Sequence, residues 1–184
     1  MHWKDAPSFF QTLIKNKSLS AQGLTLTILT AKRTKEVIGI IDSEVDLDKN
    51  TWLIPAERMK AKREHREPLT QQSAALIKKL NTNKIINTPY LLPGQYKYKH
   101  LSNMAMLNTL KQTLGYPDLT VHGFRSTFRD WVAEDTNYPA DLAESCLAHV
   151  LTNKTEAAYQ RGDLLERRRE LMQAWANYLY GIKS

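Results

Sequence analysis

Apolar residues along the chain first recur at helical spacing, then alternate as they do in a strand, and then return to the helical period toward the C-terminus. Asp5-Ala6-Pro7 joins a capping side chain to a proline suited to a first turn. Phe9, Phe10, Leu13 and Ile14 follow, which predicts a helix to about Asn16. Ser20 is placed to cap a second helix through Leu24, Leu26, Ile28 and Leu29, and Thr34-Lys35-Glu36-Val37-Ile38 reads as the start of a third. Val45, Leu47, Trp52 and Ile54 then alternate around the turn signal Asp48-Lys49-Asn50, a hairpin pattern that Pro55 ends. A short strand from His65 to Leu69 would complete a small sheet.

After Thr70 the helical stripe returns with Ala74, Leu76, Ile77 and Leu80, and the proline- and asparagine-bearing stretch Asn81 to Lys99 reads as loop. Ser102 can cap a helix whose Met104, Met106, Leu107 and Leu110 read as core, the methionines as filler. From Val121 onward the pattern gives helices over Phe124 to Ala133, Ala140 to Ala148, Lys154 to Gln160 and Leu164 to Leu179, with Pro139 and Gly162 as breaks. In the last helix, Leu165, Leu171, Met172, Trp175, Leu179 and Tyr180 offer an apolar face and Arg167-Arg168-Arg169 a basic one. That helix could pack on its own core. The expected fold is α+β, mainly α-helical with a small three-stranded antiparallel sheet, in one domain over 1–184. A chain that enters its first amphipathic helix almost at residue 1 suggests a domain cut from something longer.

Charge adds a partner class. Lys and Arg number 26 against 19 Asp and Glu, a formal net charge of +7, which points to a polyanion, nucleic acid first. The single cysteine, Cys146, cannot form an intramolecular disulfide and sits among apolar residues, which favours a reducing compartment. No apolar run approaches the roughly 18 residues needed to span a bilayer, so no membrane partner and a cytoplasmic location are expected.

Four clusters could carry chemistry. Arg33 and Glu36 are three apart and would share a helix face, where the carboxylate can orient the guanidinium, although a solvated ion pair has the same spacing. Glu57 to Arg66 carries Arg58, Lys60, Lys62, Arg63 and Arg66 between two predicted strands, either a solvated hairpin tip or a basic finger against a DNA backbone. His122-Gly123-Phe124-Arg125 sets an acid/base side chain and a phosphate-matching fork at a helix start, with a capping histidine beside a surface arginine as the alternative. Finally, Asn153 and Glu156 form a plausible capping box for a short helix bearing Tyr159, and the break before it can bring His149 and Tyr159 together. An isolated tyrosine at such a place is more often a packing anchor.

The order of these residues adds what no single cluster shows: Arg33, Lys60, His122-x-x-Arg125, His149 and Tyr159 follow one another along the chain. With Thr30-Ala31, Trp52-Leu53-Ile54-Pro55-Ala56-Glu57-Arg58-Met59-Lys60, Leu101-Ser102-Asn103-Met104, Val121-His122-Gly123-Phe124-Arg125-Ser126-Thr127-Phe128-Arg129-Asp130-Trp131 and Glu156-Ala157-Ala158-Tyr159, the set resembles tyrosine recombinases of the phage-integrase type. It is most similar to integrases of satellite phages, prophages and genomic islands. The resemblance covers nearly the whole chain. Lys35 stands where such integrases often have a small residue, and Ile40-Ile41-Asp42 replaces a small-x-Trp pattern, neither at an expected catalytic atom.

The resemblance implies the catalytic-domain fold of DNA breaking-rejoining enzymes, with the family's N-terminal arm-binding and core-binding domains absent from this chain. It implies that Tyr159 attacks a scissile phosphate clamped by Arg33 and Arg125. His149 would donate a hydrogen bond to that phosphate, His122 would act as an acid/base partner or orient the nucleophile, and Lys60 would protonate the leaving 5′ oxygen. Glu36 would hold Arg33, and Arg58, Lys62, Arg63 and Arg66 would contact DNA. Neither metal nor cofactor is implied. The implied partner is double-stranded DNA at the core of an attachment site, bound by a homotetramer that is monomeric in isolation, with DNA-bending or excisionase proteins as accessories, in a bacterial cytoplasm and on the nucleoid. Relaxation in the manner of a type IB topoisomerase, or a silent DNA-binding remnant, would fit the same catalytic letters.

Overall fold

The computed structural model of the chain describes residues 1–84, 87–96, 98–149 and 163–182. Its elements are α1 (Ala6–Leu13), α2 (Leu19–Thr30), α3 (Thr34–Ile38), β1 (Val45–Asp46), β2 (Thr51–Ile54), β3 (His65–Pro68), α4 (Gln71–Thr82), α5 (Ala105–Asn108), α6 (Gly123–Asp135), α7 (Ala140–Cys146) and α8 (Leu165–Tyr180). The expected mainly helical architecture with one three-stranded antiparallel sheet is present, in the order β1-β2-β3. The expected helix over Lys154 to Gln160, with Tyr159, lies outside the described residues.

Helix α2 is the axle. Its Leu24, Leu26, Ile28 and Leu29 are buried, and so are Thr25, Thr27 and Thr30, whose hydroxyls donate back to the carbonyls of Ala21, Gly23 and Leu26 at 2.8, 2.9 and 2.8 Å. Back-bonding of this kind lets threonine enter a core helix without leaving a hydroxyl unmade. The helix starts two residues earlier than Ser20 suggested. Ser18 is extended and its Oγ accepts from the Ala21 N–H, while Ser20 sits inside the first turn and accepts a 2.7 Å bond from the Thr109 hydroxyl. At its other end Ala31 adopts a left-handed φ of 50°, so the chain turns sharply before Lys32 and Arg33.

The sheet register decides which face of β3 is inward. Trp52 and Ile54 of β2 are buried, and they pair with Glu67 and His65 of β3, so these two polar residues share the core side of the sheet. Asn50, at the hairpin turn, takes a left-handed φ of 48°. In the helical half, Met106 is buried as expected, but Met104 is 52% exposed and is not core filler.

Helix α8 packs against α1, α2, α7 and β3 of its own chain. Leu171, Met172, Trp175 and Leu179 are buried there, and the Trp175 ring lies against Phe128, Trp131 and Tyr178 at centroid distances of 5.5, 5.1 and 5.8 Å. Its indole N–H donates to the Ile28 carbonyl of α2 at 2.9 Å. The anticipated basic face of this helix is corrected: Arg168 is 1% exposed, because its position one turn before Met172 and Leu171 points into the sheet rather than to water. Arg167 remains exposed, and Arg169 is tied to Glu166 and the Asn50 carbonyl.

Trp175→Ala is expected to lower the free energy of unfolding by about 3–5 kcal/mol, since it removes a large buried ring and its bond to α2. Urea denaturation reads this as a lower midpoint at unchanged slope; a loss under about 1 kcal/mol would mean that α8 is not built into the core.

Candidate active site

Arg125 stands in the first turn of α6 and is 4% exposed. One terminal nitrogen donates to the Ala31 carbonyl at 2.5 Å, and the other to the Leu147 carbonyl at 2.7 Å and toward His149 Nε2 at 2.9 Å. The side chain thus ties the end of α2 to the end of α7. Among the described residues it has no carboxylate within ion-pair distance. Burial, and next the neighbouring Arg33 guanidinium, push its pKa down to about 10, which still leaves it a cation at neutral pH. A buried, charged fork answered only by carbonyls and an imidazole is chemically suited to receive an anion.

Arg33 ends the turn that Ala31 begins. Its backbone N–H donates to Glu36 Oε2 at 2.8 Å and its guanidinium to Oε1 at 2.9 Å. Glu36 is 1% exposed, whereas the Arg33 side chain keeps 22% of its surface open. The expected orienting pair is therefore present, and it is partly buried rather than solvated. Bound at both ends of one carboxylate, Arg33 is held in a single direction beside Arg125.

His149 follows Ala148, whose left-handed φ of 51° ends α7 and folds the imidazole back on the helix. Its Nδ1 lies 2.5 Å from Glu144 Oε2, and Arg129 holds the other oxygen of that carboxylate at 2.8 Å. Because the Arg125 nitrogen can only donate, Nε2 accepts and the ring proton sits on Nδ1, facing Glu144.

His122 occupies the position before α6 with helical backbone angles and makes no capping bond, so the alternative of a capping histidine beside a surface arginine is corrected on both counts. Its pKa is lowered by partial desolvation first, then by the positive charges of Arg125 and Arg33, to which His149, when protonated, and Lys60 add. The fold thus places Arg125, Arg33, His149 and Lys60, all singled out from sequence, within electrostatic reach of His122. Lys60 is exposed on the turn between β2 and β3, and buried Met59 and the Ala56 and Pro55 carbonyls pin that turn beneath it. Arg58 turns inward, bonded to the Gly39 carbonyl and the Glu44 carboxylate, and so supports the loop from within. A Cβ at Gly39 would lie 2.9 Å from its guanidinium, so a side chain there would press on Arg58 and shift it from this seat. Lys62 and Arg63 are exposed; Arg66 forms a bidentate pair with Asp163 at 2.7 and 3.0 Å. Tyr159 lies outside the described residues.

A second group of charges sits behind the site. Lys32 Nζ is 2.6 Å from Glu67 Oε2, with both side chains 0% exposed, and it also donates to the Cys146 carbonyl. His65 Nε2 is 3.2 Å from the same Glu67 oxygen and 3.1 Å from Arg168, which donates onward to the Asp163 carbonyl at 2.8 Å. Burial lowers the Lys32 pKa against the pull of Glu67. The Glu67 carboxyl is held below its usual range by Lys32, His65 and Arg168, although burial alone would raise it. Sequence reasoning missed all four residues. The signal for His65 and Glu67 was available in the hairpin register, which sets them opposite Ile54 and Trp52; nothing local marks Lys32 or Arg168. Cys146 is the expected buried hydrophobe, its thiol pushed up to about 12 by burial. No helix among the described residues is long and apolar enough to cross a membrane.

Residues 3–164 match the phage integrase family. The chain is 33% identical over 180 residues to prophage integrase IntZ of Escherichia coli (strain K12), covering 97% of this chain and 44% of that protein. It is 32% identical to prophage integrase IntA of the same strain, over 85% of this chain and 38% of that protein. It is 31% identical to the integrase of Enterobacteria phage P4, over 94% of this chain and 43% of that protein. The chain therefore spans under half the length of these relatives.

The charge field around His122 makes a signed prediction. The imidazole titrates below the ordinary histidine value of about 6.5, and Arg33→Met, which removes one of the opposing cations, moves the midpoint upward. NMR titration of the ring protons reads both; a midpoint at or above the ordinary value in the unmodified chain would contradict the described cluster.

Proposed function

This chain belongs to the phage integrase family, and from that premise we propose that it is the DNA-cleaving part of a site-specific recombinase that cuts and rejoins strands through a 3′-phosphotyrosyl bond at Tyr159. The observation that carries the reading is the buried Arg125, a cation with no carboxylate of its own, with Arg33 and His149 on either side. The fold we assign it to is that of DNA breaking-rejoining catalytic domains.

In the proposed cycle, the scissile phosphate enters between Arg33 and Arg125. Each offers fork-shaped donors to the non-bridging oxygens, and both are held rigidly, Arg33 by Glu36 and Arg125 by two backbone carbonyls. Such preorganised donors act where charge grows in the pentavalent transition state. The Tyr159 oxygen attacks phosphorus, and the field of the cation cluster favours its ionised form over the neutral phenol, whose ordinary pKa is about 10. His122, kept neutral by the same field, is suited to take that proton.

In the resting arrangement the His149 Nδ1–H donates a hydrogen bond to Glu144. A phosphate oxygen takes the place of His149 Nε2 on the Arg125 fork, which stays on its two carbonyls; with a proton taken up from solvent at Nε2, the imidazolium donates to a phosphate oxygen and the Glu144 carboxylate balances its charge. Lys60, on the turn above, protonates the departing 5′ oxygen. A 5′ hydroxyl then attacks the phosphotyrosyl bond, the tyrosine leaves with a proton, and the number of phosphodiester bonds is conserved. The substrate we propose is duplex DNA at the core of an attachment site, with Lys62 and Arg63 beside the backbone.

The test is a nicked duplex carrying that core, from which strand release traps the covalent intermediate. The chain is expected to give a denaturant-resistant protein–DNA adduct, and Tyr159→Phe none. Arg125→Lys keeps the charge but cannot span both carbonyls and the phosphate, and is expected to slow adduct formation by about 10²–10³-fold. Adduct formed at undiminished yield by Tyr159→Phe would overturn the assignment.

A further inference from the structure

Two buried cations join the same two backbone segments. Arg125 spans the Ala31 and Leu147 carbonyls, and Lys32, next in the chain after Ala31, donates to the Cys146 carbonyl, next before Leu147. The turn after α2 and the end of α7 are thus linked twice, at adjacent residues on each side. Arg33 is the residue after one linked pair, and His149 lies two residues after the other. Nothing else in the described ion pairs spans this gap.

We infer that Lys32 is a positioning residue: by gripping the Cys146 carbonyl it fixes the separation of Arg33 and His149, so that both meet the phosphate that Arg125 receives. The inference rests on the reading of those three residues given above. Glu67 has a different part. It balances the Lys32 charge, with both side chains fully buried, and its second oxygen has no hydrogen-bond partner among the described residues. A buried ion pair can often be replaced by apolar side chains without loss of stability, whereas removal of one partner leaves a costly lone charge. The pair as a source of stability and the carbonyl link as a source of position can therefore be separated by substitution. A displacement near 1 Å at a phosphate-binding side chain is enough to cost on the order of 10²-fold in rate.

The experiment compares Lys32→Met, Lys32→Met/Glu67→Leu and Glu67→Gln in the 184-residue chain. Two readouts are taken: the single-turnover rate of adduct formation at saturating nicked duplex, and the imidazole ¹⁵N resonances of His149. The double variant is expected to recover part of the thermal stability that Lys32→Met loses, since Arg168 gives up Glu67 but keeps Asp163, yet to stay at least about 10-fold slow, with DNA affinity unchanged and the His149 nitrogens shifted away from their resting tautomer. Glu67→Gln keeps the link to Cys146 and is expected to be less stable, with its rate within about threefold of the parent and His149 unshifted. A double variant with parental rate and parental His149 resonances would overturn the inference. So would a Glu67→Gln variant that shifts His149, and this arm decides the matter if the double variant does not fold. A parent chain that forms no adduct would instead count against the proposed function, while the His149 resonances still decide the role of Lys32.

Discussion

A buried guanidinium without a carboxylate is an expensive thing to build, and the site is organised around one. Arg125 leaves water for two peptide carbonyls and an imidazole, contacts that satisfy its hydrogen bonds without neutralising its charge. Desolvation on that scale is tolerated only where the surroundings over-determine the side chain. Here α2, α6 and α7 all converge on it, and each ends or begins at the point of contact. The left-handed residues Ala31 and Ala148 make that convergence possible, because each stops a helix abruptly, the first presenting its own carbonyl to the guanidinium and the second turning His149 back toward it.

The same constraint explains why the neighbouring charges are arranged as they are. Glu36 is spent on Arg33 and Glu144 on His149 and Arg129, so neither carboxylate reaches Arg125. The acids nearest the site orient its cations without quenching the most buried of them. Behind it, Lys32 with Glu67, His65 and Arg168 forms a nearly closed set of charges that holds β3, α7 and α8 to the turn after α2. On the proposed reading, the phosphate of a DNA strand supplies the anion that the fold withholds.

Much of this was legible in the chain before its fold was described. The hairpin, the helices around it and the i,i+3 pairing of Arg33 with Glu36 follow from local spacing, and local spacing is what a sequence displays. Ser20 was a misleading cap because Ser18, two residues earlier, has the extended backbone a cap needs. His149 was singled out from sequence but its partner Glu144 was not, because five residues on a helix do not face each other; only the break at Ala148 brings the two to 2.5 Å. Lys32 and Arg168 were hidden for another reason. Each sits in a run of cations that reads as solvated surface, and their burial depends on partners 35 and 101 residues away along the numbering (Lys32 to Glu67, Glu67 to Arg168), which no local pattern encodes.

The central claim is that Arg125 is the receptor for the phosphate at which the strand is cut. A crystal structure of the chain on a duplex with a non-cleavable linkage at the scissile position tests it most directly. The account predicts that a non-bridging oxygen of that phosphate lies within hydrogen-bond distance of the Arg125 guanidinium, with Arg33 on the same phosphate and the Arg125–His149 contact opened. A phosphate seated elsewhere, with Arg125 still closed on His149, would contradict it.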